Sequence, residues 1–118
     1  MMNCEEVIAR LEDIAEQAEH IASVVQSITF KEFAEDVVRS AAVIRFFEII
    51  GEAAKYIPDT VRDEFPDIAW RELAGFRDVL IHQYPKVNLH LVWKYAVEDI
   101  PIIHQSVLRI IAELQEKL

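Results

Sequence analysis

The sequence predicts an all-α protein, an antiparallel bundle of four or five helices. Three observations carry that prediction. Hydrophobic residues make up 53% of the 118, yet there are only two glycines and four prolines, too few turn residues for a sheet protein. Apolar residues recur at spacings of three and four over most of the chain, which is helical periodicity. Capping residues and prolines stand where the periodic stretches begin and end. A chain of this length makes one domain, residues 1–118, with no linker, repeat or low-complexity tract.

The first helix is expected from about Cys4 to Ser27. Val7, Ile8, Leu11, Ile14, Ala15, Ala18, Ile21, Ala22 and Val25 form its apolar stripe, and Glu5, Glu6, Glu12, Asp13, Glu16 and Glu19 its acidic back. Glu16 and His20 are four apart, a spacing that can hold a metal. No third ligand is in sight, so the pair reads as a solvated ion pair. Thr29 and Glu32 fit a capping box, and the second helix is expected to run unbroken to about Ile57, where Pro58 ends it. Its apolar surface is wide. Phe30, Phe33, Val37, Ala41, Ile44 and Phe47 make one band, and Ala34, Val38, Ala42, Phe46, Ile49, Ala53 and Ile57 a second. One neighbour cannot cover both, so this helix lies at the centre of the bundle, joins a dimer interface, or does both. Gly51 inside it costs about 1 kcal/mol relative to alanine, which a close backbone approach or room for a ligand would offset. Glu48 and Glu52 beside it either steer an active-site arginine or pair locally, Glu48 with Arg45 and Glu52 with Tyr56 or Lys55.

Asp59 to Phe65 reads as a short charged helical turn. Asp67 can cap the next helix, which takes Ala69, Leu73, Phe76, Leu80 and Ile81 into the core, with Trp70 in core or interface packing. Tyr84 to Val87 is a loop, and Asn88 caps the last helical region. Leu89, Val92, Trp93, Ala96 and Val97 are apolar there. Pro101 breaks or kinks the helix before Ile102, Ile103, Val107, Leu108, Ile110, Ile111 and Leu114 carry it to the end. His90 and His104 read as partly buried structural residues.

Composition narrows the function classes. The single Cys4 excludes an internal disulfide framework, and no Cys/His cluster has zinc spacing. The N-terminal residues lack the basic and apolar regions of a signal peptide, and no uncharged run approaches a membrane span. A soluble cytoplasmic protein is expected. The net charge of −9 opposes nucleic-acid binding, which uses a basic surface to release the counterions condensed on the phosphates. Binding RNA requires local cations, and Lys55, Arg62, Arg71, Arg77, Lys86 and Lys94 do gather in the middle and later chain.

The stretch with most chemistry is Gly75-Phe76-Arg77-Asp78-Val79-Leu80-Ile81-His82-Gln83-Tyr84-Pro85. On a helix, Asp78 and His82 share a face, and Arg77 lies in line with Tyr84. Arg77 and His82 stand roughly 140° apart around the axis. They converge only through the length of the arginine, a loosened last turn, or a second copy of the protein. One reading is purely structural: Arg77 pairs with an acid, Asp78 with His82, and Tyr84 closes the helix. Metal binding lacks ligands, and neither Ser40 nor Cys4 has an evident relation to the motif for nucleophilic catalysis. Metal-free, cofactor-free RNA cleavage is the remaining reading. RNA, unlike DNA, supplies its own 2′-hydroxyl nucleophile, so the protein needs only a proton-transfer group and a cation. Histidine suits the first task and arginine the second.

Arg77-Asp78-Val79-Leu80-Ile81-His82-Gln83-Tyr84 resembles the R-X4-H-X-Y signature of the HEPN superfamily, specifically its HepT-like branch. The resemblance extends to Ile44 through Lys55, to Trp70 through Arg77, and to Val92 through Pro101, about Ser27 to Leu108 in all. It implies a dimeric all-α bundle, the RNase toxin of a toxin–antitoxin pair. The implied antitoxin is an MntA-like minimal nucleotidyltransferase that transfers AMP to the motif tyrosine. On this resemblance Arg77 and His82 are catalytic, Asp78 is supporting, Tyr84 is the AMPylation site, and the partners are RNA, the antitoxin and a second copy. The signature commonly has Asn or another polar residue where this chain has Asp78. A carboxylate there either orients the His82 ring or weakens phosphate binding by repulsion. The alternative class is non-enzymatic: HEPN domains also serve as nucleotide-binding or partner-docking modules for a nucleotidyltransferase, a role that an acidic surface suits.

Overall fold

The computed structural model describes residues 2–83 and 87–118, with the side chains of residues 77–79 and 81–83 outside the description. All regular structure among the described residues is helical. Helix α1 spans Cys4–Val25, α2 Phe30–Glu35, α3 Val37–Lys55, α4 Asp59–Glu64 and α5 Trp70–Gln83. Helix α6, Leu89–Lys94, passes through a π-helical turn, Tyr95–Asp99, into α7, Ile100–Gln115. The backbone at Lys94, Tyr95 and Ile100 is right-handed helical, so α6, the π turn and α7 form one rod. Four long members result, α1, α3, α5 and this rod, with α2 and α4 as short connectors.

Helix α1 begins where Asn3 caps it, its Oδ1 accepting from the Glu6 N–H at 2.9 Å. Val7, Ile8, Leu11, Ile14, Ala15, Ala18, Ile21 and Val25 are buried, whereas Glu5, Glu6, Glu12, Asp13, Glu16 and Glu19 are all exposed. The expected stripe and acidic back are both present, although the helix ends two residues earlier than Ser27. Glu16 and His20 form an ion pair at 3.7 Å.

The second helix is not continuous. The Thr29 capping box is formed, but the chain breaks at Asp36, whose backbone is extended at φ −103°, ψ 98°. Its Oδ1 accepts from the Arg39 N–H at 3.0 Å, and its Oδ2 takes the Arg39 guanidinium at 3.1 Å. A side chain that hydrogen-bonds the backbone ahead competes with the helix ladder and starts a new helix instead. Restarting there shifts the buried phase. Ser40, Val43, Phe47, Ile50, Gly51, Ala53 and Ala54 face inward, while Val37 and Val38 are 77% and 79% exposed. Helix α3 packs against α1 and α5 and also touches α2 and α6, the central place its wide apolar surface predicts.

Arg62 closes the C-terminal end of α3, its guanidinium donating to the carbonyls of Ala54 and Ile57. Asp67 does not cap α5. Its carboxylate is taken by Arg109 of α7, and the first turn closes by the Leu73 N–H donating to the Ala69 carbonyl at 3.0 Å. Ala69 is exposed rather than in the core. Trp70 is buried, its indole N–H donating to the Phe65 carbonyl at 3.0 Å.

The π turn has an identifiable cause. Pro101 has no N–H for the Val97 carbonyl, and its ring would collide with that carbonyl in an α-helix. Widening the preceding turn, so that the Ile100 N–H donates to the Tyr95 carbonyl, absorbs both problems without breaking the rod.

Candidate active site

Helix α5 positions the motif. Its inner face is held by Trp70, Leu73 and Leu80, all buried. Phe76, half-buried, connects it to two neighbours: its ring lies 5.0 Å from Phe47 of α3 and 4.6 Å from Tyr95 of the π turn. These rings lock α5 between α3 and the last rod one residue before Arg77. The backbone is helical through Gln83, so Arg77, Asp78 and His82 all stand on one helix, as the spacing argument requires. Their side chains lie outside the described residues, and so does Tyr84.

Gly75 sits mid-helix with nothing among the described residues within 4 Å of where a Cβ would stand, so no contact with them requires a glycine there. Gly51 is fully buried in α3, the helix against which α5 packs. Glu48 pairs with Arg45 at 3.7 Å, the local alternative for that carboxylate. Glu48 and Glu52 both line a groove of about 320 Å³ with Arg10, Asp13 and Arg45 between α1 and α3. Beside α6, Val37, Ala41, Ile44, Val87 and Leu89 line a largely apolar hollow of about 480 Å³ on the outer face of α3.

The cations sort into two groups. Arg62 is committed to the end of α3, Arg109 to Asp67, and Lys117 to Glu64 at 2.7 Å. The Arg109 guanidinium holds the Asp67 carboxyl below its ordinary range, and hydrogen bonding to Glu64 raises Lys117. Arg71 and Lys94 remain exposed, with no carboxylate among the described residues within ion-pair distance. Arg10 lies over the Tyr56 ring at 4.4 Å.

His104 is partly buried, its Nε2 3.6 Å from a Glu19 oxygen. His90 is exposed, not buried, and stacks on Phe30 at 4.0 Å. Neither this stack nor the Arg62 cap is signalled by local periodicity, because both join residues of different elements. Pro101 did signal a distortion, though not its π geometry. No helix among the described residues is long and apolar enough to cross a membrane.

Residues 14–110 match the model of the family described as "Ribonuclease HepT-like". The chain belongs to the HepT-like family. Three relatives align over most of their own length. A Methanocaldococcus jannaschii protein named a putative RNase is 40% identical over 90% of this chain and 97% of its own. One of Caldanaerobacter subterraneus subsp. tengcongensis, also named a putative RNase, is 38% identical over 86% of this chain and 90% of its own. A Thermococcus cleftensis protein named "Probable ribonuclease HepT" is 48% identical over 77% of this chain and 83% of its own. No solved structure matches the chain. The HepT-like match spans all of α3 and α5, and with them the R-X4-H-X-Y residues Arg77, His82 and Tyr84.

Proposed function

We propose that this HepT-like protein is a metal-independent endoribonuclease, the toxin of a toxin–antitoxin pair. The observation that carries the reading is the family match over residues 14–110, a span in which Arg77, His82 and Tyr84 stand at R-X4-H-X-Y spacing in the sequence. In the proposed reaction the RNA 2′-oxygen attacks the adjacent phosphorus and the 5′-oxygen of the next nucleotide leaves. Products are a 2′,3′-cyclic phosphate and a 5′-hydroxyl. His82 carries the proton transfer and Arg77 stabilises the charge that grows on the phosphorane oxygens. Asp78 orients His82.

The proposed active form is a homodimer. Two copies facing across a twofold axis bring both arginines and histidines into one cleft and concentrate positive charge locally. Support comes from the outer face of α3, where Val37 and Val38 stand exposed beside the apolar hollow, and from the awkward helical spacing of Arg77 and His82. Regulation is proposed at Tyr84: its phenolic oxygen attacks the α-phosphorus of ATP on a cognate nucleotidyltransferase, and pyrophosphate leaves.

Incubating the purified protein with single-stranded RNA in EDTA tests the reaction. The expected products end in 2′,3′-cyclic phosphate or its hydrolysis products. Products with a free 3′-hydroxyl, or cleavage that needs an added divalent metal, contradict it.

A further inference from the structure

A cavity of about 260 Å³ opens between the start of α5 and the π turn, and neither the family match nor the motif accounts for it. Its walls are Leu73, Phe76, Tyr95 and Ile103, with Ile102, 64% exposed, at its edge. Three carboxylates, Asp67, Glu72 and Asp99, also line it. Asp67 is already bound to Arg109. Glu72 and Asp99 have no cation within ion-pair distance among the described residues.

We infer that this cavity is a docking site for one arginine side chain of a partner protein. Three features select that occupant. First, the apolar and aromatic walls suit the methylene stem and flat face of a guanidinium, which stacks on aromatic rings such as Phe76 and Tyr95. Second, the two unpaired carboxylates give the occupant its sign, and at a net charge of −9 the whole chain attracts cationic partners. Third, an opening of about 260 Å³ has room for a single inserted side chain. Arginine in a pocket is a common anchor of protein interfaces. The seat already present supports the same chemistry: Arg109 holds Asp67 at this rim. Tyr95 and Asp99, four residues apart in the π turn, both line the wall, and π turns recur at functional sites. Because Phe76 belongs both to this wall and to the packing that fixes α5, the occupant contacts the helix one residue from Arg77. The inference does not depend on ribonuclease activity.

The test uses acetyl-Gly-Arg-Gly-amide, its citrulline counterpart of nearly equal shape but no charge, and propylguanidinium, the singly charged side chain without a peptide. Amide shifts of Tyr95, Asp99 and Ile103 in the full-length protein report binding. The arginine peptide is expected to shift them at millimolar concentration and to bind at least fivefold more tightly than the citrulline peptide. A Glu72→Gln/Asp99→Asn double variant, which removes charge from two unpaired side chains and keeps their shape, is expected to erase that preference. Equal binding of arginine and citrulline peptides overturns the proposal, as does a preference unchanged in the variant. Propylguanidinium binding more tightly than the peptide also overturns it, because the site then serves a free small cation.

Discussion

Tyr84 is the residue on which the proposed regulation turns, and its place in the sequence gives it two properties. It stands two residues beyond His82, so an adduct there adds phosphate charge and a nucleoside beside the proposed catalytic pair. On the proposed reading, such an adduct would pair with Arg77 and occupy the volume that substrate phosphate needs. Tyr84→Phe keeps the ring and removes the acceptor oxygen. Incubation with a cognate nucleotidyltransferase and ATP, followed by peptide mapping, should place AMP on Tyr84 in the wild type and leave Tyr84→Phe unmodified and foldable. An adduct on Tyr56, half-exposed under Arg10, or on Tyr95, packed on Phe76, contradicts the assignment. At this scale the sequence identifies candidate residues better than it identifies their partners. Glu48 with Arg45 and Glu16 with His20 are legible because both pairs lie within one helical turn. Arg62 is not: it counts as a free cation until the fold brings the end of α3 against it.

Among the elements, the break between α2 and α3 shows what local patterning leaves open. Periodicity alone carries one helix from Thr29 to Ile57, because Phe33, Val37, Ala41 and Ile44 keep helical spacing. Asp36 overrides it, since an aspartate ahead of two β-branched valines gains more as a cap than as an interior residue. Asp36→Ala removes both the cap and the contact with Arg39 and should cost about 1 kcal/mol, or about 4 °C in thermal midpoint for a chain of this size. Circular dichroism during heating measures it. An unchanged midpoint would mean that the cap contributes nothing to the fold. The long elements were legible for the opposite reason. Helix α1 has one stripe, one acidic back and an Asn cap that all agree, and such agreement between levels leaves no competing structure. The π turn lay beyond periodicity, because Pro101 dictates a distortion without dictating how the chain absorbs it.

For the whole molecule, the net charge of −9 and the proposed action on RNA are reconciled by segregation. Six carboxylates line the exposed back of α1, and the proposed dimer would gather the motif cations of two copies. Light scattering at micromolar protein should therefore give twice the 13.7 kDa chain mass, and Val37→Glu/Val38→Glu, on an exposed apolar face, should shift it toward monomer. A wild-type monomer at that concentration removes the composite cleft. The central claim is that Arg77 and His82 together cleave RNA without metal. Its most direct measurement is single-turnover cleavage of single-stranded RNA in EDTA by the wild type, Arg77→Ala and His82→Ala, each first shown to be folded. The wild type should cleave, with the His82→Ala rate reduced ~10²–10⁴-fold and the Arg77→Ala rate ~10²–10³-fold. Wild-type rates in both variants, or no cleavage by folded wild-type protein, would contradict the claim.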